Sequence, residues 1–132
     1  MSFSKDIANF TRKAASAHDK ITRVATLELF SGIIRATPVD TGRARGNWQA
    51  SVGSPVSGEL DREDKAGSAA IADAEQNAPP GAGQVTYLAN NLPYIEALEM
   101  GSSTQARPHA MVRKNVDRVQ KLVDAAVRKN RV

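Results

Sequence analysis

Seven apolar residues, Phe3, Ile7, Phe10, Ala14, Ala17, Ile21 and Val24, follow one another at alternating steps of four and three. That spacing lays them along one face of an α-helix. The next step would fall on Glu28, and the stripe moves there to Leu27, Phe30, Ile33 and Ile34. The spacing predicts a helix over 4–36, with a bend or a change of partner near Glu28 or Gly32. Thr37-Pro38 ends it, because proline disfavours helical geometry in the residue before it. A chain of 132 residues is one domain with one modest core. A helix this long is expected to reach beyond such a core, so its halves need not share a partner. The stripe packs on the protein's own sheet, or its first half is a seam between subunits.

Val39-Asp40-Thr41-Gly42 reads as a turn in which Gly42 can take positive φ. Weak alternation over 44–52 predicts a half-buried strand with Ala44, Gly46, Trp48, Ala50 and Val52 on one face. Trp48, the only tryptophan, is its anchor. Residues 53–83 read as a variable loop region holding a short helix over 64–76. A second strand is expected over 84–89, a turn at Asn90-Asn91, and a short helix over 93–99 closed by Gly101. Val112, Val116, Val119, Val123 and Ala126 again step by four and three, predicting a final helix over 110–131. Its other faces carry Arg113, Lys114, Arg118, Lys121, Arg128, Lys129 and Arg131 against Asp117 and Asp124. The fold class is α+β: a small antiparallel sheet packed with a long N-terminal and a long C-terminal helix, in a single domain over 1–132.

The residues offer chemistry little to work with. There are no cysteines, which excludes disulfides, thiolate metal sites and a cysteine nucleophile. Asp40-Thr41-Gly42 is the tripeptide of aspartic proteases. Here it follows a helix-ending Thr37-Pro38 and runs into Arg43 and Arg45, whose fixed charge would keep paired carboxylates ionised. It reads instead as a turn. Glu96 and Glu99 share a helical face, but with His109 they match no metal-ligand spacing. Neither His18 nor His109 has a nucleophile or carboxylate at diagnostic spacing, and no phosphate loop is present. No enzyme activity, cofactor or metal is expected. No apolar run is long enough to span a membrane, and the N-terminus has no apolar signal core. The net charge of +4 permits contact with nucleic acid. Aromatic residues are 5% of the chain and none interleaves with the basic run, so no stacking platform accompanies it.

Two segments resemble a known family. Thr37-Pro38-Val39-Asp40-Thr41-Gly42-Arg43-Ala44-Arg45-Gly46-Asn47-Trp48 is similar to the segment after the first helix in siphophage tail-completion and neck proteins, relatives of lambda minor tail protein Z. The stretch from Leu88 to Ala106, with Asn90-Asn91-Leu92-Pro93-Tyr94 and Glu99-Met100-Gly101, resembles the family's second segment. Together they cover about a quarter of the chain. The family then runs through Pro-Gly-Met-Val into its last helix. Here the stretch is Arg107-Pro108-His109-Ala110-Met111-Val112, with an inserted arginine and a histidine in place of a small residue.

The resemblance implies a structural virion subunit at the head–tail junction, assembled in the host cytoplasm. It would form a ring with copies of itself, hexameric or of another order, that finishes the tail and meets neck, tail-terminator and tail-tube proteins. Asp40, Thr41, Gly42, Arg43, Trp48, Asn90, Asn91, Tyr94, Glu99 and Gly101 become its assembly and structural residues. Gly42 is expected to allow the turn, and Trp48 to tie sheet to helix. Asn90 and Asn91 would make the strand-to-helix turn, with Tyr94 packed beneath it and its hydroxyl at the rim, and Glu99 is expected to pair with a basic residue such as Arg43 or Arg45, within one subunit or across two. Loops around Pro55 and Pro79 are expected to order on assembly. Arg113, Lys114, Arg118 and Lys121 could meet DNA in a channel through charge alone. The alternative is a basic nucleic-acid-binding accessory protein.

Overall fold

The computed structural model describes residues 3–78, 84–101 and 108–129, without the side chains of 3–17, 119, 120, 122 and 126. Helix α1, Phe3–Ala36, runs unbroken for 34 residues, about 50 Å at 1.5 Å per residue. Only its second half can be followed into the core. Phe30, Ile33 and Ile34 are buried there with Leu29 packed beside them, whereas Ile21, Val24 and Leu27 are half-buried. Most of the first-half stripe, from Phe3 to Ala17, lies among the undescribed side chains.

The end of α1 is closed by side chains. Thr37 is fully buried and its hydroxyl donates to the Ile33 carbonyl at 2.9 Å. Arg45 returns to the same end and donates to the carbonyls of Arg35 at 2.8 Å and Thr37 at 2.9 Å. These bonds satisfy carbonyls that a helix end leaves without partners, and they put positive charge where the helix dipole favours it. A third bond, to the Lys65 carbonyl at 2.6 Å, ties in a segment twenty residues on.

The strand expected over 44–52 is divided. Arg43–Gly46 form a short helix, α2, entered through Gly42 at φ 91°, and only Gln49–Val52 form a strand, β1. Two side chains enforce the helical turn. The Thr41 hydroxyl accepts the Arg43 N–H at 3.2 Å, and the Asn47 amide donates to the Arg43 carbonyl at 2.8 Å. Such local bonds compete successfully with an extended backbone. Alanine and glycine at 44 and 46 give a strand no side-chain packing to oppose them. Val52, expected on the buried face, is exposed.

Strand β1 pairs antiparallel with β2, Thr86–Ala89, in the register Gln49↔Ala89 to Val52↔Thr86. Two strands are too few to be stable alone. Helix α3, Ser68–Asn77, buries Ala70 and Ala74 on the sheet and on α1. It starts later than expected from the apolar pattern, because Asp64 stays outside the helix. The buried Asp64 carboxylate accepts the Ala70 N–H at 2.9 Å. At the other end Arg23 of α1 donates to the carbonyls of Glu75 and Ala78, each at 3.0 Å. The loop around Pro55 is held by hydrogen bonds from Ser51 to Ser54, Asn91 to Val56 and Gln49 to Gly58. The loop around Pro79 lies outside the described residues.

Helix α4, Ile95–Met100, closes at Gly101 with φ 81°. The single helix expected over 110–131 is two: α5, Met111–Asp117, and α6, Val119–Lys129, separated at Arg118. Asn115 accounts for the break. It is buried, its amide donates back to the Met111 carbonyl at 2.7 Å, and its Oδ1 accepts from Arg118. The Arg118 N–H bonds the Asn115 carbonyl three residues back at 3.2 Å, the tighter pattern that ends a helix. Gly32 of α1 lets the helices approach closely here, since a Cβ on it would meet the Asn115 amide. Both α5 and α6 pack on α1. No helix among the described residues is long and apolar enough to cross a membrane.

Candidate assembly surface

Two separated segments meet at the surface. Pro38, Val39, Asp40 and Arg43 from the turn after α1, with Tyr94 and Leu98 from the start of α4, line an open groove of about 240 Å³. That is smaller than most small-molecule sites. Its apolar lining is unusually uncovered: Val39 is 41% exposed and Tyr94 44%. Tyr94, expected to pack beneath the turn with its hydroxyl at the rim, is exposed and lines the groove. Asp40 and Thr41 are also exposed.

The groove has a rigid back. Gly42 is buried, and its carbonyl accepts the N–H groups of Gly46 and Asp64, both at 2.9 Å. Behind it Asn47 is fully buried and saturated. Its amide donates to Arg43 and Leu60, and its Oδ1 accepts the Leu60 N–H at 2.7 Å. Asn90 reaches the same turn, donating to the Ala44 carbonyl at 2.9 Å while accepting the Leu92 N–H. Asn91 donates outward to Val56 and Gly58. Trp48 is buried, and its indole N–H donates to the Thr37 hydroxyl at 2.8 Å, linking the strand's entry to the end of α1.

The expected pairing of Glu99 with Arg43 or Arg45 within one subunit is corrected. Glu99 pairs with neither arginine inside the chain: Arg43 bridges to Glu59 at 3.3 Å and Asp61 at 4.0 Å, and Arg45 is spent on carbonyls. The Glu99 carboxylate instead accepts the N–H groups of Val112 at 2.9 Å and Arg113 at 3.0 Å, capping the start of α5. A carboxylate suits those otherwise unbonded donors. Backbone bonds from His109 to Leu98 and from Ala110 to Glu99 run alongside. Glu99→Ala is expected to cost about 1–2 kcal/mol, lowering Tm by roughly 3–6 °C in calorimetry. Glu99→Gln, keeping one acceptor, should lose less; an unchanged Tm for Glu99→Ala would contradict the cap.

Arg113, Lys114, Arg118 and Lys121 are all exposed along α5 and α6. Among the described residues no three His, Asp or Glu side chains are grouped to hold a metal. What was missed from sequence is the bonding that shapes the turn, made by the side chains of Thr37, Arg45, Asn47 and Asp64. Asn47 and Asp64 had a readable signal, being cap-forming residue types beside a turn and a helix start. Comparison of the chain with protein-family models, with curated proteins and with solved structures found no match.

Proposed function

We propose that the chain is a non-enzymatic structural subunit of a tailed-phage virion. It sits at the head–tail junction as a ring that completes the tail and joins it to the head. One observation carries the reading: Pro38–Arg43 and Tyr94–Leu98, drawn from the two segments that resemble the tail-completion family, converge on one exposed groove. Buried asparagines and Trp48 hold the groove's back, which suits a surface that must present fixed complementarity to a neighbour. The partners are copies of itself and the adjoining neck, tail-terminator and tail-tube proteins. The exposed basic residues of α5 and α6 would meet channel DNA only through its phosphates.

Inactivating the gene in the genome that encodes the chain is expected to leave heads and tails that form but do not join, seen by electron microscopy. Complementation should restore joined particles; joined, infectious particles without the chain would refute the proposal. The second reading, a nucleic-acid-binding accessory protein, rests on the basic faces of α5 and α6. It requires tight, sequence-dependent DNA binding by the free chain. The structural reading expects weak binding, insensitive to sequence, that falls steeply with salt.

A further inference from the structure

The chain's charge is unevenly divided. Residues 111–132 hold seven of the 18 Lys and Arg and only two of the 14 Asp and Glu. The net excess of +4 therefore lies wholly at that end. On α6, Lys121, Arg128 and Lys129 are exposed. Among the described residues only Lys129 of these three has an ionic partner, Glu28 of α1 at 3.9 Å. Val127 on the same helix is 42% exposed, so α6 presents an apolar residue among three cations and one exposed carboxylate, Asp124.

The opposite combination lies elsewhere. Glu59, Asp61 and Glu63 are exposed on one short segment, whose backbone is pinned to Asn47 at Leu60. Two of the three reach Arg43, which lines the groove. Arg62 of the same segment is paired to Asp73, and Arg43 with the exposed Lys65 does not balance the three exposed carboxylates, so the groove with its exposed Val39 and Tyr94 carries an acidic margin. Among the described residues no hydrogen bond or ion pair joins this segment to α6, which packs on α1. Among the described residues the two faces do not meet within the chain.

We infer that α6 of one copy docks on the groove and acidic margin of the next, head to tail. The inference rests on the ring reading and deepens it by naming the two faces. Different faces meeting in sequence build a ring when the rotation closes, whereas either face against itself would oppose like charges. An apolar centre with a charged rim is the ordinary anatomy of a protein interface. Nucleic acid on α6 would explain the cations but not the acidic groove, and so accounts for less.

Sedimentation of the full chain, from roughly 0.01 M to 1 M salt, tests this, because screening shortens from about 30 Å to about 3 Å over that range. Association is expected at low salt and its loss at high salt. Lys121→Glu with Arg128→Glu should weaken association roughly tenfold or more, as should Asp61→Lys with Glu63→Lys. All four positions are exposed, and circular dichroism should show both variants folded. Mixing the two variants should restore association, since each supplies the partner the other lacks. Association indifferent to either pair, no recovery on mixing, or a monomer at every concentration in low salt would overturn the inference. So would a chain that binds a DNA duplex through Lys121 and Arg128 and does not self-associate. Failure of the ring reading registers separately, as joined particles formed without the chain.

Discussion

A chain carrying Gly42→Val is expected to be largely unfolded and missing from assembled particles, while heads and tails still form. Three costs coincide at this position. Gly42 has φ 91°, where a β-branched residue is strained by about 1–3 kcal/mol. A Cβ would lie 2.6–2.8 Å from the backbones of Asp64 and Lys65, which cannot move away as a side chain can. Shifting them would also break the Asp64 N–H bond to the Gly42 carbonyl. Together these approach about 4–5 kcal/mol, most of the stability of a marginal domain. Gly53→Val is the control: φ is 88°, but no atom lies within 4 Å of the added Cβ. It should show the backbone strain alone. Urea denaturation of both separates strain from collision, and equal losses would show that the packing against Asp64 and Lys65 contributes nothing.

Trp48→Ala is the second large effect. Trp48 is buried in the same cluster as Ile33, Ile34 and Met111, so truncation should cost about 3–5 kcal/mol in lost contacts and cavity. Trp48→Phe keeps a ring but removes the donor to Thr37, and should cost about 1–3 kcal/mol. Wild type above Phe above Ala, in urea midpoints, is the expected result. A Phe variant as damaged as the Ala variant would shift the weight from packing to the hydrogen bond.

The parts legible in the sequence were those governed by long apolar periods or by a residue with one physical use. The first helix announced itself over about nine turns of sequence, and Trp48 and Gly42 could do little except fill a core and permit a turn. What the sequence hid was decided by side chains bonding to nearby backbone. Asn47 and Thr41 turned Arg43–Gly46 helical against a weak strand pattern. Asn115 split a helix whose valines step in unbroken register. Glu99 looked like an ion-pairing residue because charge can be read from a sequence, whereas the two N–H groups it caps become available only once α5 starts where it does. The groove itself joins segments far apart in the chain, and neither segment alone carries a sign of the other.

The most direct test is where the chain resides in the finished particle. Purified virions, labelled with a tag at the chain's C-terminus and imaged by electron microscopy, should carry the label only where head meets tail. Quantitative mass spectrometry of the same particles should find a small fixed number of copies, equal to the order of one ring. Particles devoid of the chain, with all of it free in the lysate, would contradict the account at its root.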